Sequence, residues 1–115
     1  MTYVDGFVAA APTASKAKYI EHIKIAGIVF KEHGALRVVD CWGEDVPDGK
    51  LTSFPLAVKK EPNETVVFGW IEWPSRAARD AGFGKAMADT RLSSLAMPFD
   101  GKRMIFGGFD VLAQT

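Results

Sequence analysis

The stretch Asp100-Gly101-Lys102-Arg103-Met104-Ile105-Phe106-Gly107-Gly108-Phe109-Asp110-Val111 opens on a turn dipeptide and continues as an apolar run with Phe and Gly spaced along it. Asp-Gly accepts the tight backbone of a turn, and the run predicts a strand over residues 103–112. Outward from it, the same reading finds three more strands. Tyr3-Val4-Asp5-Gly6-Phe7-Val8 begins one over residues 3–10, closed by Pro12; residues 36–43 form the second; residues 65–73, the clearest, end at Pro74. After the first strand, Ile20, Ile23, Gly27 and Phe30 recur at helical spacing. A cap is expected before them at Thr13 or Ser15, and Gly34 stands where a left-handed C-terminus belongs. After the third strand, Ser75 caps a helix running to about Ala88. Gly82 and Gly84 weaken it, each by up to ~1 kcal/mol relative to Ala, and close packing against a neighbour is the expected reason for them. The connection over residues 44–64, punctuated by Pro and Gly, is long enough to be functional or to carry an element of its own, at Leu56-Ala57-Val58.

The order β-α-β-β-α-β specifies an α+β, ferredoxin-like fold: a four-stranded antiparallel sheet with both helices on one face. A single domain over residues 1–115 is expected from the length. Fourteen basic and fourteen acidic residues cancel, so no net field recruits nucleic acid or an anionic membrane. Cys41 is the only cysteine, which excludes an internal disulfide and fits a reducing cytoplasm. The N-terminal residues lack a signal-peptide pattern, and no run approaches the ~20 apolar residues that span a bilayer.

Strand side chains alternate between two faces. One set is aliphatic: Val4 and Val8, Val39 and Cys41, Val67 and Ile71, Ile105 and Val111. It suits the face under the helices. The other mixes aromatics with carboxylates, and is assigned to the face without helices. Phe7, Trp42, Phe68, Trp70 and Phe106 belong to it and form the expected interface of a homodimer, since an exposed apolar patch of that kind marks a partner or ligand.

The residues that carry chemistry are few. Asp5, Asp40, Glu72 and Asp110 can form an acid–base pair if two meet in a dry pocket, or ion pairs with Arg37 and Arg103 if they do not. His33 stands at a helix C-terminus, where a cation is favoured, and His22 reads as an exposed helix residue. No metal-ligand spacing, phosphate loop or nucleophile triad is present in the pattern, and no metal is expected. Phe68-Gly69-Trp70-Ile71-Glu72-Trp73 resembles the aromatic strand of an RNA-recognition motif, but Val66-Val67 replaces that motif's opening basic residue and Gly, and Asp5, Asp40 and Glu72 would face phosphates. Nucleic acid is therefore not the expected partner.

Taken together, several segments carry a resemblance that covers almost the whole chain: Tyr3–Val8, Glu32-His33-Gly34-Ala35-Leu36, Gly43-Glu44-Asp45-Val46-Pro47, Thr52-Ser53-Phe54-Pro55, Glu64–Phe68 and Met97–Phe109. The chain resembles the YbaA-like family, bacterial proteins of unknown function, and departs from it at Gly82-Phe83-Gly84. The resemblance implies a dimeric α/β barrel, a superfamily that includes small monooxygenases, haem-degrading proteins and dechlorinating relatives working in a cleft beside the sheet. It assigns no catalytic residue, and leaves the cofactor unknown, cofactor-free and haem-dependent oxidation being equally open. Three functions follow as expectations. The first is an enzyme or binder of a small apolar or aromatic molecule, in a pocket rimmed by His33, Asp40, Trp42, Asp45 and Arg103, with Arg103 orienting an anionic group. The second is a homodimer whose assembly is its whole role. The third, ranked last because the carboxylates and the charge balance weigh against it, is a single-stranded RNA binder.

Overall fold

The structure is a computed structural model, and it describes residues 2–115. Strand β1 (Tyr3–Pro12) leads through a single 3-10 turn into helix α1 (Lys16–Glu32), then strand β2 (Arg37–Trp42). The long connection carries a one-turn helix α2 (Phe54–Ala57). Strand β3 (Glu64–Trp73), helix α3 (Arg76–Ala88), a short helix α4 (Thr90–Ser93) and strand β4 (Ile105–Asp110) complete the chain. The sheet is antiparallel, in the order β2-β3-β1-β4, which is the ferredoxin-like arrangement read from the sequence.

Local chemistry accounts for the boundaries. Ser75 accepts a bond from the Ala78 backbone N–H at 3.1 Å and starts α3, while Gly34 follows α1 at φ +111°. Neither Thr13 nor Ser15 caps α1 through its side chain. The Thr13 hydroxyl instead meets that of Thr65 at 2.7 Å, extending the β1–β3 ladder to Pro12. Strand β4 starts later than expected because Arg103 is bound away from the ladder, to Glu64, Asp100 and the Lys59 carbonyl. Gly82 is buried where α3 crosses the end of α1; a Cβ there would strike the His33 carbonyl oxygen and the Trp73 ring. That close approach explains a glycine inside a helix.

Two expectations are corrected. The sheet is open rather than closed into a barrel: its outer strands β2 and β4 do not pair with each other. The division into faces is also corrected. Cross-strand register places Asp40, Gly69, Phe7 and Phe106 in one row, and Val38, Ile71, Asp5 and Gly108 in the next. These rows face α1 and α3, since Ile71 and Val38 share a core with Val29, Phe30 and Ala86. Phe7, Trp42 and Phe106 therefore lie on the helix side, and only Phe68 and Trp70 of the five expected interface residues face away from it. The alternation within each strand was legible. The side it faced was legible only for β3, whose Val67 and Ile71 meet the helices as expected; β1, β2 and β4 present the other set, because both faces of β1 are apolar: Ala9 and Ala11 meet Tyr19 of α1, while Val8 and Ala10 are covered by Val58, just after α2. Wholly burying a large apolar side chain such as Val29 or Val67 contributes about 1.5–3 kcal/mol, which makes these two clusters and the Trp73 core the main hold on the sheet.

Candidate functional site

The helices do not seal the sheet. A cavity of about 810 Å³ separates α1 and α3 from the rows of β1 and β2, closed on a third side by residues 92–104. Its walls follow from helical spacing: Tyr19, His22, Ile23, Ala26 and Phe30 form one stripe of α1, and Arg79, Phe83 and Met87 one stripe of α3. The sheet provides Asp5, Phe7, Asp40 and Phe106, and the segment before β4 provides Leu95, Met97, Phe99 and Met104. Phe106 faces this cavity from the edge strand and is 76% exposed.

The cavity has two polar ends. At one, Asp5 accepts from Nε of Arg79 at 3.0 and 3.1 Å and from Nε1 of Trp73 at 2.9 Å, and Arg79 also reaches Asp80 at 2.8 Å. The hydrogen bond to Asp5 is the main reason the guanidinium is held charged more firmly than usual. Its charge is thus matched by two carboxylates. At the other end lie Tyr19, His22 and Asp40. Burial pushes the Asp40 carboxyl up to about 6. Burial, and then the charges of Asp40 and Cys41, raise the Tyr19 phenol above its ordinary value. Burial lowers His22, so its ring is neutral at pH 7. The Tyr19 hydroxyl and Nδ1 of His22 are both buried without a hydrogen-bond partner among the described residues.

Of the residues expected to rim a pocket, only Asp40 reaches this wall. His33 bonds through Nε2 to Asp89 at 3.1 Å and ties the end of α1 to α4. Trp42 packs on Tyr19, ring centroids 5.6 Å apart, with the Lys16 ammonium 5.5 Å from its own ring centre. Asp45 is exposed in the long connection. Arg103 is matched by Glu64 at 2.6 Å and Asp100 at 3.1 Å, away from the cavity, so it orients nothing there. Sequence reasoning missed Tyr19 and Arg79 as site residues and placed His22 in solvent. The spacing of Tyr19, His22 and Ala26 was the available signal, since three and four residues apart is one helix face. Among the described residues, no three His, Cys, Asp or Glu side chains gather as metal ligands. No helix there is long and apolar enough to cross a membrane.

The opposite face is flat and partly open. Its rows are Arg37, Glu72, Val4 and Phe109; Val39, Trp70, Gly6 and Gly107; and Cys41, Phe68, Val8 and Ile105. Phe109 is 61% and Ile105 46% exposed. Phe68 meets Trp70 edge-on at 5.8 Å, and Glu72 accepts from Arg37 at 2.8 Å and from the Trp70 indole at 2.9 Å.

The family described as a protein of unknown function, DUF1428, matches residues 2–101. The uncharacterized protein YbaA of Escherichia coli K12 is 57% identical over 112 residues, covering 96% of both chains, and the YbaA protein of Shigella flexneri matches equally. The chain belongs to this family. Among solved structures, a dimeric ferredoxin-like protein from an uncultured marine organism superposes with a TM-score of 0.61 at 11% identity, covering 99% of this chain and 98% of that one. SnoaB, a cofactor-independent oxygenase from Streptomyces nogalater, superposes with a TM-score of 0.50 at 16% identity, covering 98% of this chain and 93% of that one. At such identities these two show a shared fold.

Proposed function

We propose that this member of the family binds a small, largely apolar molecule in the cavity between its sheet and helices. The observation that carries the reading is the cavity itself. At about 810 Å³ it has the size of a small-molecule site, with mostly apolar walls and a few converging polar groups. The oxygenase of like fold is consistent with small-molecule chemistry on such a framework, but it lends no catalytic residue. Binding is tested with N-phenyl-1-naphthylamine, an uncharged fluorophore of three aromatic rings whose emission rises in apolar surroundings. Saturable binding to the wild type, weakened in Ala26→Phe, is expected, because Ala26 lines the cavity and a phenyl ring there projects into it. Equal binding to both proteins would refute the reading.

A second reading concerns the open face. Phe68, Trp70, Ile105 and Phe109 share this side of the sheet, and Phe68, Ile105 and Phe109 are exposed on it, an apolar surface of the kind a partner covers. We propose that a second copy of the chain covers it, in keeping with the dimeric protein of like fold. Burial of roughly 800 Å² per copy is ordinary for a stable interface. Light scattering is expected to give twice the chain mass for the wild type and one chain mass for Trp70→Asp; a dimer that survives this substitution rules the face out.

A further inference from the structure

The cavity reading leaves the chemistry of the occupant open, and the polar groups on the walls narrow it. Tyr19 is only 2% exposed, yet its hydroxyl has no partner, and Nδ1 of His22, one helical turn on, is in the same condition. Asp40, on the facing strand, is part-exposed and accepts no side-chain hydrogen bond from any described residue, although it lines the same cavity. Buried polar groups are nearly always paired in folded proteins. The Tyr19 hydroxyl and His22 Nδ1 are shut off from the cavity by their own burial, which leaves the part-exposed Asp40 carboxylate as the polar group a ligand reaches at this end, and it points to a molecule that completes its bonds.

Charge narrows the class further. Arg79 is the one cation on the wall among the described residues, and it is bound by both Asp5 and Asp80. The remaining groups facing Asp40 are Tyr19 and His22 from α1, Phe7 from β1 across Gly69, and the apolar residues of the segment before β4. Nothing there offsets a negative ligand, and Asp40 itself repels one. An acceptor-only ligand would also leave Asp40 without a donor.

We infer that the occupant is a ring-sized molecule that is not an anion and bears a hydrogen-bond donor such as a hydroxyl group, which it gives to the Asp40 carboxylate. This rests on the cavity reading and adds the substrate class. Carboxylate acceptors make the stronger hydrogen bonds, so the hydroxyl is selected over an ether of the same shape. The apolar walls hold the rings, and the Asp40 carboxylate sets which end enters.

Three probes of one shape separate the possibilities: 2-naphthol, 2-methoxynaphthalene and 2-naphthoate, titrated by calorimetry into the full chain near neutral pH. 2-Naphthol is expected to bind about 10-fold more tightly than either of the others. In Asp40→Asn, 2-naphthol weakens and 2-naphthoate strengthens, each by several-fold, whereas a folding defect would weaken all three together. Equal affinity for naphthol and its ether, or tightest binding of the carboxylate, overturns this inference while the cavity reading stands; water then satisfies Asp40. Failure of all three probes to bind overturns both.

Discussion

Replacing Gly82 with Ala is expected to destabilise the protein, and replacing Gly84 with Ala, two residues further along the same helix, to stabilise it. Both changes remove the penalty of glycine in a helix, about 0.5–1 kcal/mol. They differ in what the new methyl meets. At Gly84 no atom lies within 4 Å of the added Cβ, so the propensity gain stands alone. At Gly82 the Cβ collides with the His33 carbonyl oxygen and the Trp73 ring. Neither can yield cheaply. The oxygen belongs to the backbone at the end of α1, and Trp73 is wholly buried with its indole N–H bound to Asp5. Helix α3 must lift away, at an overpacking cost of about 1–3 kcal/mol. The net for Gly82→Ala is therefore a loss of up to about 2 kcal/mol, and the two variants differ by the overpacking cost alone, about 1–3 kcal/mol. Urea unfolding followed by tryptophan fluorescence reads this as midpoints moving in opposite directions at unchanged slope. Thermal midpoints are expected to separate by roughly 10 °C, since 1 kcal/mol shifts a domain of this size by about 4 °C or more. A Gly82→Ala protein as stable as Gly84→Ala would refute the packing described for α1, α3 and Trp73.

Two further outcomes follow from the cavity's charges. The Asp40 carboxyl is raised from 3.8 to about 6 in the folded protein, so folding opposes its ionisation. The penalty is absent below the unfolded value and grows as pH rises from about 4 to 6. Two pKa units correspond to about 3 kcal/mol in a dry site, of which about 1–2 kcal/mol remains where the cavity mouth admits water. Asp40→Asn should thus be more stable than wild type near pH 7.5 and equal to it near pH 4; a gap that does not change with pH would contradict the burial of this group. Asp5→Ala removes the partner of both Arg79 and the Trp73 indole, whose side-chain contacts with Asp5 are largely shielded from water. A loss of about 3 kcal/mol is expected from the denaturation midpoint, and a loss under 1 kcal/mol would show the pair to be unimportant. Asp5→Asn should recover part of it, because its amide oxygen can still accept from Trp73.

The elements of this fold are written locally. Proline at 74 and the Ser75 cap, the glycine after α1, and the alternation in residues 65–73 are each short-range signals, and together they determined four strands, two main helices and their order. The membership of the family was legible for the same reason, from contiguous segments. The glycine at 82 was legible as a place of close packing, though not what it packed against.

The site was written in tertiary structure. Asp40, Gly69, Phe7 and Phe106 come from four strands and become one row only through pairing register, which no local pattern specifies. Period-two alternation tells which residues of a strand share a side. It does not tell which side meets the helices when both are apolar, and α2 with its flanking loop made both sides apolar here. For that reason Phe7 and Trp42, which suggested an interface, lie beneath the helices. Arg103 suggested an anion site and is neutralised by Glu64, whereas Arg79 faces the cavity and is neutralised by Asp5. Composition shows that charges balance over a chain. Only the packed structure decides which of them are left to meet a ligand.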